Sequence, residues 1–505
     1  RWWDLPRTSE TTEDMRHLKR MALKTLKPDF SAFKMATIVE VNKYNVFDGI
    51  DSPFYRPYMP YLPADKSVTL FDRSVTLEEQ IPVHVYNMWD NSDYTDWLER
   101  KMPENDLKIR SSEVPTHVIV TKKTFMTKYP IYSRPVFSKT SYQEFNAVAT
   151  RPGRSKTIRT NTISPDVAVH EFLDACFRAG HQKVLSDFSN DLLTYDYDLI
   201  LEWLGERPDC ISIADEVRQI LEEGLSIHKI NKIKVHSKIE SLLKAEPIED
   251  LRDGKVRLIM WQAKGICALY APVFKKVKER FKSLLREEIL YADGCTPDEL
   301  AARVRLIKDD VRFFSNDITQ MDGSTDQPMI DIEFGIYSAL GVDPDLLSSW
   351  REVHNHWRFK GKNLAGVMDA MRLTGQATTA LGNGLVNMIM HSRLIKKNRD
   401  QIELVLFLGD DILILIRGFI DLINFRSECA AWHNMQVKPE FSDEVGGFCS
   451  MLVYKTKNGT CEMGPDFSRM ERRFEVTNGT KETSEDNLLM RSMAYMMQLG
   501  HCPGV

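Results

Sequence analysis

The chain has 505 residues, of which 43% are hydrophobic and 28% charged, so wholesale disorder is excluded. This length suggests about three packed units or one large multi-lobed protein. With 67 basic and 72 acidic residues the formal charge is -5, which excludes a uniformly basic nucleic-acid coat but leaves room for a local basic channel.

No run reaches the roughly 18 apolar residues of a membrane span. The nearest, Leu404 to Ile416, carries two aspartates at its centre. Cysteines at 176, 210, 267, 295, 429, 449, 461 and 502 form no CxxC pair, which argues against a disulfide scaffold or zinc ribbon and for a reducing compartment. The opening residues do not read as a signal or transit peptide. Because the chain begins at Arg1, a processed or trimmed piece of something longer is expected.

The first hundred residues are rich in aromatics and prolines, as in Trp2-Trp3 and Tyr55-Arg56-Pro57-Tyr58-Met59-Pro60-Tyr61, and have poor periodicity. They read as an irregular extension wrapped on a larger body. From Thr121 to Thr160 there are nine Lys or Arg against the single acid Glu144, with Phe125, Tyr129, Tyr132, Phe137, Tyr142 and Phe145 interleaved. That pattern is either a solvated edge or a groove that tracks phosphates and stacks bases. In the groove reading, Arg151, Arg154, Lys156 and Arg159 contact RNA.

From about Asp166 to Leu306 the pattern is mostly helical. Val273, Phe274, Val277, Phe281, Leu284 and Leu285 form one core stripe, with Pro272 suited to a first turn. From Val311 to Tyr454 short apolar strands alternate with helices, and this region carries the chemistry.

Val405 to Ile416 reads as two β-prone runs flanking Gly409-Asp410-Asp411, a hairpin with acids at its tip. Adjacent carboxylates between buried strands repel each other and resist desolvation, and a cation relieves both penalties. Upstream, an aromatic strand end delivers Asp317, with Asp322 five residues later. Phosphoryl transfer by two metals needs hard oxygen ligands from separate elements, and Asp317 with Asp410 on neighbouring strands would supply them. Between these pieces, Thr374-Gly375-Gln376-Ala377-Thr378-Thr379-Ala380-Leu381-Gly382-Asn383 reads as a capped start to an apolar helix, with Thr374 and Gly375 in the cap region. Thr379 and Asn383, at i and i+4, share a face that can hydrogen-bond a sugar.

The order D-x4-D, TG-x3-T-x3-N, GDD resembles motifs A, B and C of viral RNA-dependent RNA polymerases. Lys255-Val256-Arg257-Leu258-Ile259 is similar to motif F, Met435-Gln436-Val437-Lys438 to motif D, and Gly447-Phe448-Cys449-Ser450 to motif E. The details look most like the alphavirus-like supergroup of positive-strand RNA viruses, over about Lys238 to Lys455. About fifty residues follow motif E, fewer than this family's usual thumb, so either a small thumb or a truncated chain is expected.

The resemblance implies an α+β right-hand fold of fingers, palm and thumb, with an antiparallel palm sheet carrying the catalytic aspartates. The expected layout is an extension at 1–120 and fingers at 121–310, with motif F at about 238–259. Palm follows at 311–336, a fingers insertion at 337–372, palm again at 373–455, and the start of the thumb at 456–505. Asp317, Asp410 and Asp411 are the expected ligands of Mg²⁺, for which Mn²⁺ can substitute. Lys438 would serve the leaving pyrophosphate and Lys255 and Arg257 the triphosphate. Asp322, Thr379 and Asn383, with Thr374 and Gly375 in the same motif, would bind the nucleotide and sense its 2′-hydroxyl. Cys449 and Ser450 would hold the primer strand. The implied activity is RNA synthesis from NTPs on an RNA template, replicating and transcribing a viral genome in the host cell cytoplasm, within a complex of other viral replication proteins. A reverse transcriptase and an inactive polymerase-like RNA-binding protein are the alternatives. Gly409 in place of an aromatic, and the Asp322/Asn383 pair, speak for ribonucleotides.

Overall fold

The computed structural model describes residues 157–222, 232–237, 258–354, 357–361, 364–368, 372–467, 470, 476–478 and 484–502, and the backbone of strands at 67–70, 73–76, 107–109 and 121–123. Its centre is a five-stranded sheet. In chain order the strands are β1 (Ile289–Tyr291), β2 (Arg312–Thr319), β3 (Ile402–Leu408), β4 (Asp411–Ile416) and β5 (Gln436–Ser442). Across the sheet they run β5-β2-β4-β3-β1. The expected antiparallel sheet is corrected here to a mixed one, because β1 joins β3 in parallel. That edge strand also draws residues upstream of 311 into the sheet.

Alternation along the strands divides the core in two. Phe314, Val405, Phe407, Ile412, Ile414 and Ile416 face the larger core. There they meet the helices α1 (Pro165–Cys176), α2 (Lys264–Leu284), α3 (Gln327–Ala339) and α4 (Thr379–Lys397). Phe407 stacks on Tyr291 at 4.9 Å and meets Phe281 edge-on at 6.2 Å. Gly384 of α4 lies against this stack, and an added Cβ would make ordinary contacts at 3.5 Å with both Phe407 and Tyr291. Each fully buried Leu, Ile or Phe contributes roughly 2 kcal/mol, which outweighs local propensity. The same burial carries α2 straight through Pro272, which lies inside the helix rather than in its first turn.

On the other face Phe313, Leu404, Leu406, Leu413 and Leu415 form a smaller core. It is covered by helix Pro297–Val304 and by a three-stranded sheet of β6 (Val445–Phe448), β7 (Met451–Lys455) and β8 (Cys461–Pro465). Gly446 sets how closely that sheet sits, because an added Cβ would come within 2.5 Å of Leu413 and 2.9 Å of Phe313.

A seven-stranded sheet joins distant segments in the order 73–76, 67–70, 107–109, 364–368, 357–360, 232–237, 258–262. Strands of the first 120 residues therefore pair with the 337–372 segment, as Leu364 does with Ile109. All eight cysteines are free thiols.

Candidate active site

Strand register brings the acids together. On one side of β2, Asp317 is the direct partner of Lys438 on β5. On the other side β4 runs antiparallel with Leu413 opposite Ser315, so two residues further along Asp411 faces Asp317. Directly opposed residues hold their Cβ atoms about 4.5–5.5 Å apart and on one face. Asp317, Asp410, Asp411 and Lys438 are all exposed, at the open end of a sheet that is otherwise buried. Like charges opposed across a ladder destabilise it, and the Lys438 ammonium offsets part of that repulsion.

The acids sit on the face of Phe313 and Leu413, beyond the edge of the covering three-stranded sheet. Among the described residues no three His, Cys, Asp or Glu side chains gather closely enough to enclose an ion unaided. Mg²⁺ does not need such a cage, because it keeps several waters and takes one or two carboxylates with substrate phosphates. Opposed hard-oxygen donors at an open strand end suit it.

Gly409 and Asp410 form the two-residue turn between Leu408 and Asp411. Gly409 has φ +59° and Asp410 is not left-handed, the pattern of a type II′ turn with glycine first. Asn387 of α4 donates from Nδ2 to the Gly409 carbonyl at 3.0 Å and to the Asp411 carbonyl at 3.3 Å. From the other side Cys449 hydrogen-bonds Asp411. Burial raises that thiol well above its ordinary value, and the Asp411 and Asp410 charges raise it further, so it remains a neutral donor. The primer-strand expectation for Cys449 thus meets a side chain already turned to the acids, whereas Ser450 is exposed.

After β2 the left-handed Gln320 (φ +52°) turns the chain into the short helix Met321–Ser324. That bend carries Asp322 out of the sheet, where its Oδ1 accepts from Asn383 Nδ2 at 3.0 Å. Thr379 is near this pair in sequence, but its hydroxyl donates to the Leu373 carbonyl at 2.7 Å and accepts from the Gln376 amide at 2.9 Å. It closes the loop before α4.

Thr374 and Gly375 do not cap the helix, which corrects the expectation for them. The Thr374 hydroxyl accepts from the Met260 amide at 2.8 Å, and the Gly375 amide donates to the Met260 carbonyl at 2.8 Å, clasping the loop to the strand Leu258–Gln262. Glycine is required at 375, since a Cβ would meet Met260 O and Trp261 Cβ at 2.9 Å. Behind the loop, Gln376 Nε2 donates to His354 Nε2 at 2.6 Å, and His354 Nδ1 donates to the Trp350 carbonyl at 2.8 Å. Beneath Asp322 lies a buried ion pair of Arg372 with Glu333, whose other oxygen accepts from Tyr337 at 2.5 Å.

Lys255, Arg257, Arg151, Arg154 and Lys156 lie outside the described residues. Arg159 is described, and its placement differs from the groove reading. Its side chain is 8% exposed, pairs with Asp326 at 2.7 Å and donates to the Trp432 carbonyl. A largely buried guanidinium that commits three of its five donors to those acceptors is a clasp between segments.

The residues that sequence reasoning missed are Asn387, His391, His354 and the Glu333–Arg372 pair. A signal existed for the first two. Thr379, Asn383, Asn387 and His391 recur at i+4 along an otherwise apolar helix, and four polar groups on one line of such a helix need partners.

The RNA dependent RNA polymerase family matches residues 247–488. The replicase polyprotein 1ab of Grapevine leafroll-associated virus 3 is 26% identical over 336 residues, 65% of this chain and 12% of that one. The RNA-directed RNA polymerase 2a of Tobacco streak virus is 26% identical over 211 residues, 41% of this chain and 26% of that one. The chain therefore spans about an eighth to a quarter of the length of these relatives. Among solved structures, the RNA-dependent RNA polymerase of a human picorbirnavirus, an insertion loop deletion mutant, matches at a TM-score of 0.41 and 12% identity over 54% of each chain, a likeness too slight to argue from. The family match covers the strands that carry all three aspartates, and with the replicase relatives it makes this chain similar to the RNA-dependent RNA polymerases of positive-strand RNA viruses.

Proposed function

We propose that this chain synthesises RNA from NTPs on an RNA template by two-metal nucleotidyl transfer, replicating and transcribing a viral genome. The observation that carries this reading is the register that sets Asp317 between Lys438 and Asp411, with Asp410 in the adjoining turn. Asp317 and Asp410 hold Mg²⁺ or Mn²⁺, and Asp411 is a secondary acidic contact tied to Cys449. Ions held by these carboxylates would supply Lewis acidity for a primer 3′-hydroxyl and positive charge for the triphosphate. Lys438, on the same face as Asp317, stabilises or protonates the departing pyrophosphate. Lys255 and Arg257 bind the triphosphate, Arg through its bidentate fork.

Asp322 and Asn383 form the sugar gate. Their hydrogen bond aligns both polar groups, and Asn383 Oδ1 is buried without a protein partner, an acceptor suited to a ribose hydroxyl. A deoxyribose leaves that acceptor unsatisfied, and this penalty is the source of discrimination. Thr379 acts through the loop it closes. Ser450 lies where a primer strand would pass. In this reading the central sheet is the palm, the seven-stranded sheet belongs to the fingers, and Ser484–Leu499 begins the thumb. Template and product RNA and other viral replication proteins are its partners, and a replication complex in the host cell cytoplasm is its setting. No described helix is long and apolar enough to cross a membrane.

Primer extension on an RNA template tests the reading. The parent chain is expected to extend primers with NTPs and Mg²⁺ or Mn²⁺, and Asp410→Ala to lose extension while keeping its thermal unfolding transition. Full synthesis by a folded Asp410→Ala chain overturns the catalytic assignment. In the same assay Asn383→Ala or Asp322→Ala narrows the kcat/KM preference for NTPs over dNTPs. An unchanged ratio would place sugar sensing elsewhere.

A further inference from the structure

Asn387 lies at the centre of α4, wholly buried among Leu385, Val386, Met388 and Ile389. Burying an amide in such surroundings costs free energy unless hydrogen bonds repay it. Both of its Nδ2 protons go to backbone carbonyls of the acid turn, those of Gly409 and Asp411. Its Oδ1 is buried with no partner. The two acceptors are carbonyls, so the amide nitrogen must face them, and the orphaned oxygen follows from that orientation.

The polar line continues into the other catalytic strand. The Asn387 carbonyl accepts from His391 Nδ1 at 2.7 Å. His391 Nε2, left as an acceptor, takes Asn316 Nδ2 at 3.3 Å. Asn316 is the residue before Asp317, on the opposite face of β2. One helix therefore grips the Gly409–Asp411 turn at two carbonyls that flank Asp410, and grips β2 one residue from Asp317.

We propose that Asn387 is a positioning residue of the active site: its amide fixes the orientation of the acid turn through the Gly409 and Asp411 carbonyls, and His391 with Asn316 ties the same helix to the strand of Asp317. The turn has only two residues, so rotating those peptide planes swings the carboxylates of Asp410 and Asp411. The inference rests on the polymerase reading for its consequence, but its geometry does not.

The test uses the full chain and the Asn387→Leu variant, which keeps the branched heavy-atom shape and removes the donor. Three quantities are measured: Mn²⁺ binding to the nucleotide-free protein by electron paramagnetic resonance, kcat and KM for NTP in primer extension, and thermal unfolding. Misplacement of reacting groups by a fraction of an ångström to one ångström costs about tenfold to a hundredfold in rate. Asn387→Leu is expected to lower kcat by about that factor, leave KM for NTP within about twofold, weaken Mn²⁺ binding, and unfold no earlier than the parent. Asn387→Thr, which keeps one hydroxyl donor, falls between the two, and it serves also if the leucine variant does not fold. Unchanged kcat and Mn²⁺ binding in a folded variant overturn the proposal. A parent chain that extends no primer defeats the polymerase reading alone, because the Mn²⁺ titration still decides whether Asn387 sets the carboxylates.

Discussion

Two tight turns meet at the acids, and they are built in opposite ways. The Gly409–Asp410 turn places glycine where the backbone needs φ +59°, and Asn387 braces it from below. The Cys449–Ser450 turn between Phe448 and Met451 has no glycine, and both residues are left-handed, at φ +49° and +66°. That is the pattern of a type I′ turn, which ordinarily selects Asn-Gly. Each L residue in that region costs roughly 1–2 kcal/mol. The turn that bears the acids is thus relaxed and buttressed, while its neighbour holds strain to bring one thiol against Asp411. Strain of this kind persists only where surrounding structure over-determines it, and here the packing of Phe448 and Val453 in the smaller core does so.

The largest expected effect attacks the brace of the first turn. His391 packs against Phe314 and Phe425, with His433 near, and burial pushes its imidazole down to about 4, against a weaker upward pull from the Asn387 carbonyl. Unfolded, it titrates near 6.5. Between those values the unfolded chain binds a proton that the folded chain refuses. Stability is therefore full above about pH 6.5 and is lost as pH falls toward 4, on the order of 3 kcal/mol from this residue. His354 and His433, each pushed down to about 3 chiefly by burial, add to the same acid loss from other sites. His391→Gln should flatten, without abolishing, the fall in unfolding temperature between pH 6.5 and 4.5. Parallel curves for variant and parent would show that His391 is not the titrating support.

Next in size is Gly409→Ala. Nothing lies within 4 Å of the added Cβ, so the cost comes from backbone conformation alone, about 1–2 kcal/mol. Unfolding in urea should show that loss with an unchanged slope. A neutral result would mean that the turn adopts another conformation, and the comparison between the two turns would fail at its first member.

How much of this was legible in the sequence follows from the range of the interactions. The acids, their order and the hairpin of β3 and β4 are local patterns, and alternation gave the two-faced strands. The Asp322–Asn383 contact was also within reach, since both positions belong to the motif series that resembles the polymerases. Register across β2 was not, because pairing Lys438 with Asp317 depends on where two distant strands stop sliding. The parallel edge strand Ile289–Tyr291 has no local signature in three residues. Arg159 looked like a phosphate contact because composition counts charges without their partners, and Asp326 lies 167 positions away. Thr374 looked like a cap because its true partner, Met260, is 114 positions distant. The brace on the acid turn was half visible, as polar residues at i+4 on an apolar helix, but their acceptors are backbone carbonyls and leave no trace in sequence.

The smallest effect inverts the glycine experiment at the second turn. Ser450 is exposed, its carbonyl accepts from the Asp466 amide at 3.1 Å, and its side chain is not part of the smaller core. Replacing it with glycine keeps that backbone hydrogen bond and removes the Cβ that makes φ +66° costly. The gain is opposed by the extra freedom glycine gives the unfolded chain, about 0.5–1 kcal/mol. The balance is a stabilisation of up to about 1 kcal/mol. Ser450→Ala retains the Cβ and should bring no such gain, so the pair of variants separates strain from loss of the hydroxyl. Urea unfolding of both beside Gly409→Ala gives three numbers whose signs are fixed in advance: loss at 409, gain for glycine at 450, and little change for alanine at 450. If Ser450→Gly were no more stable than Ser450→Ala, the second turn would hold no strain to release. The thiol of Cys449 would then reach Asp411 at no conformational cost.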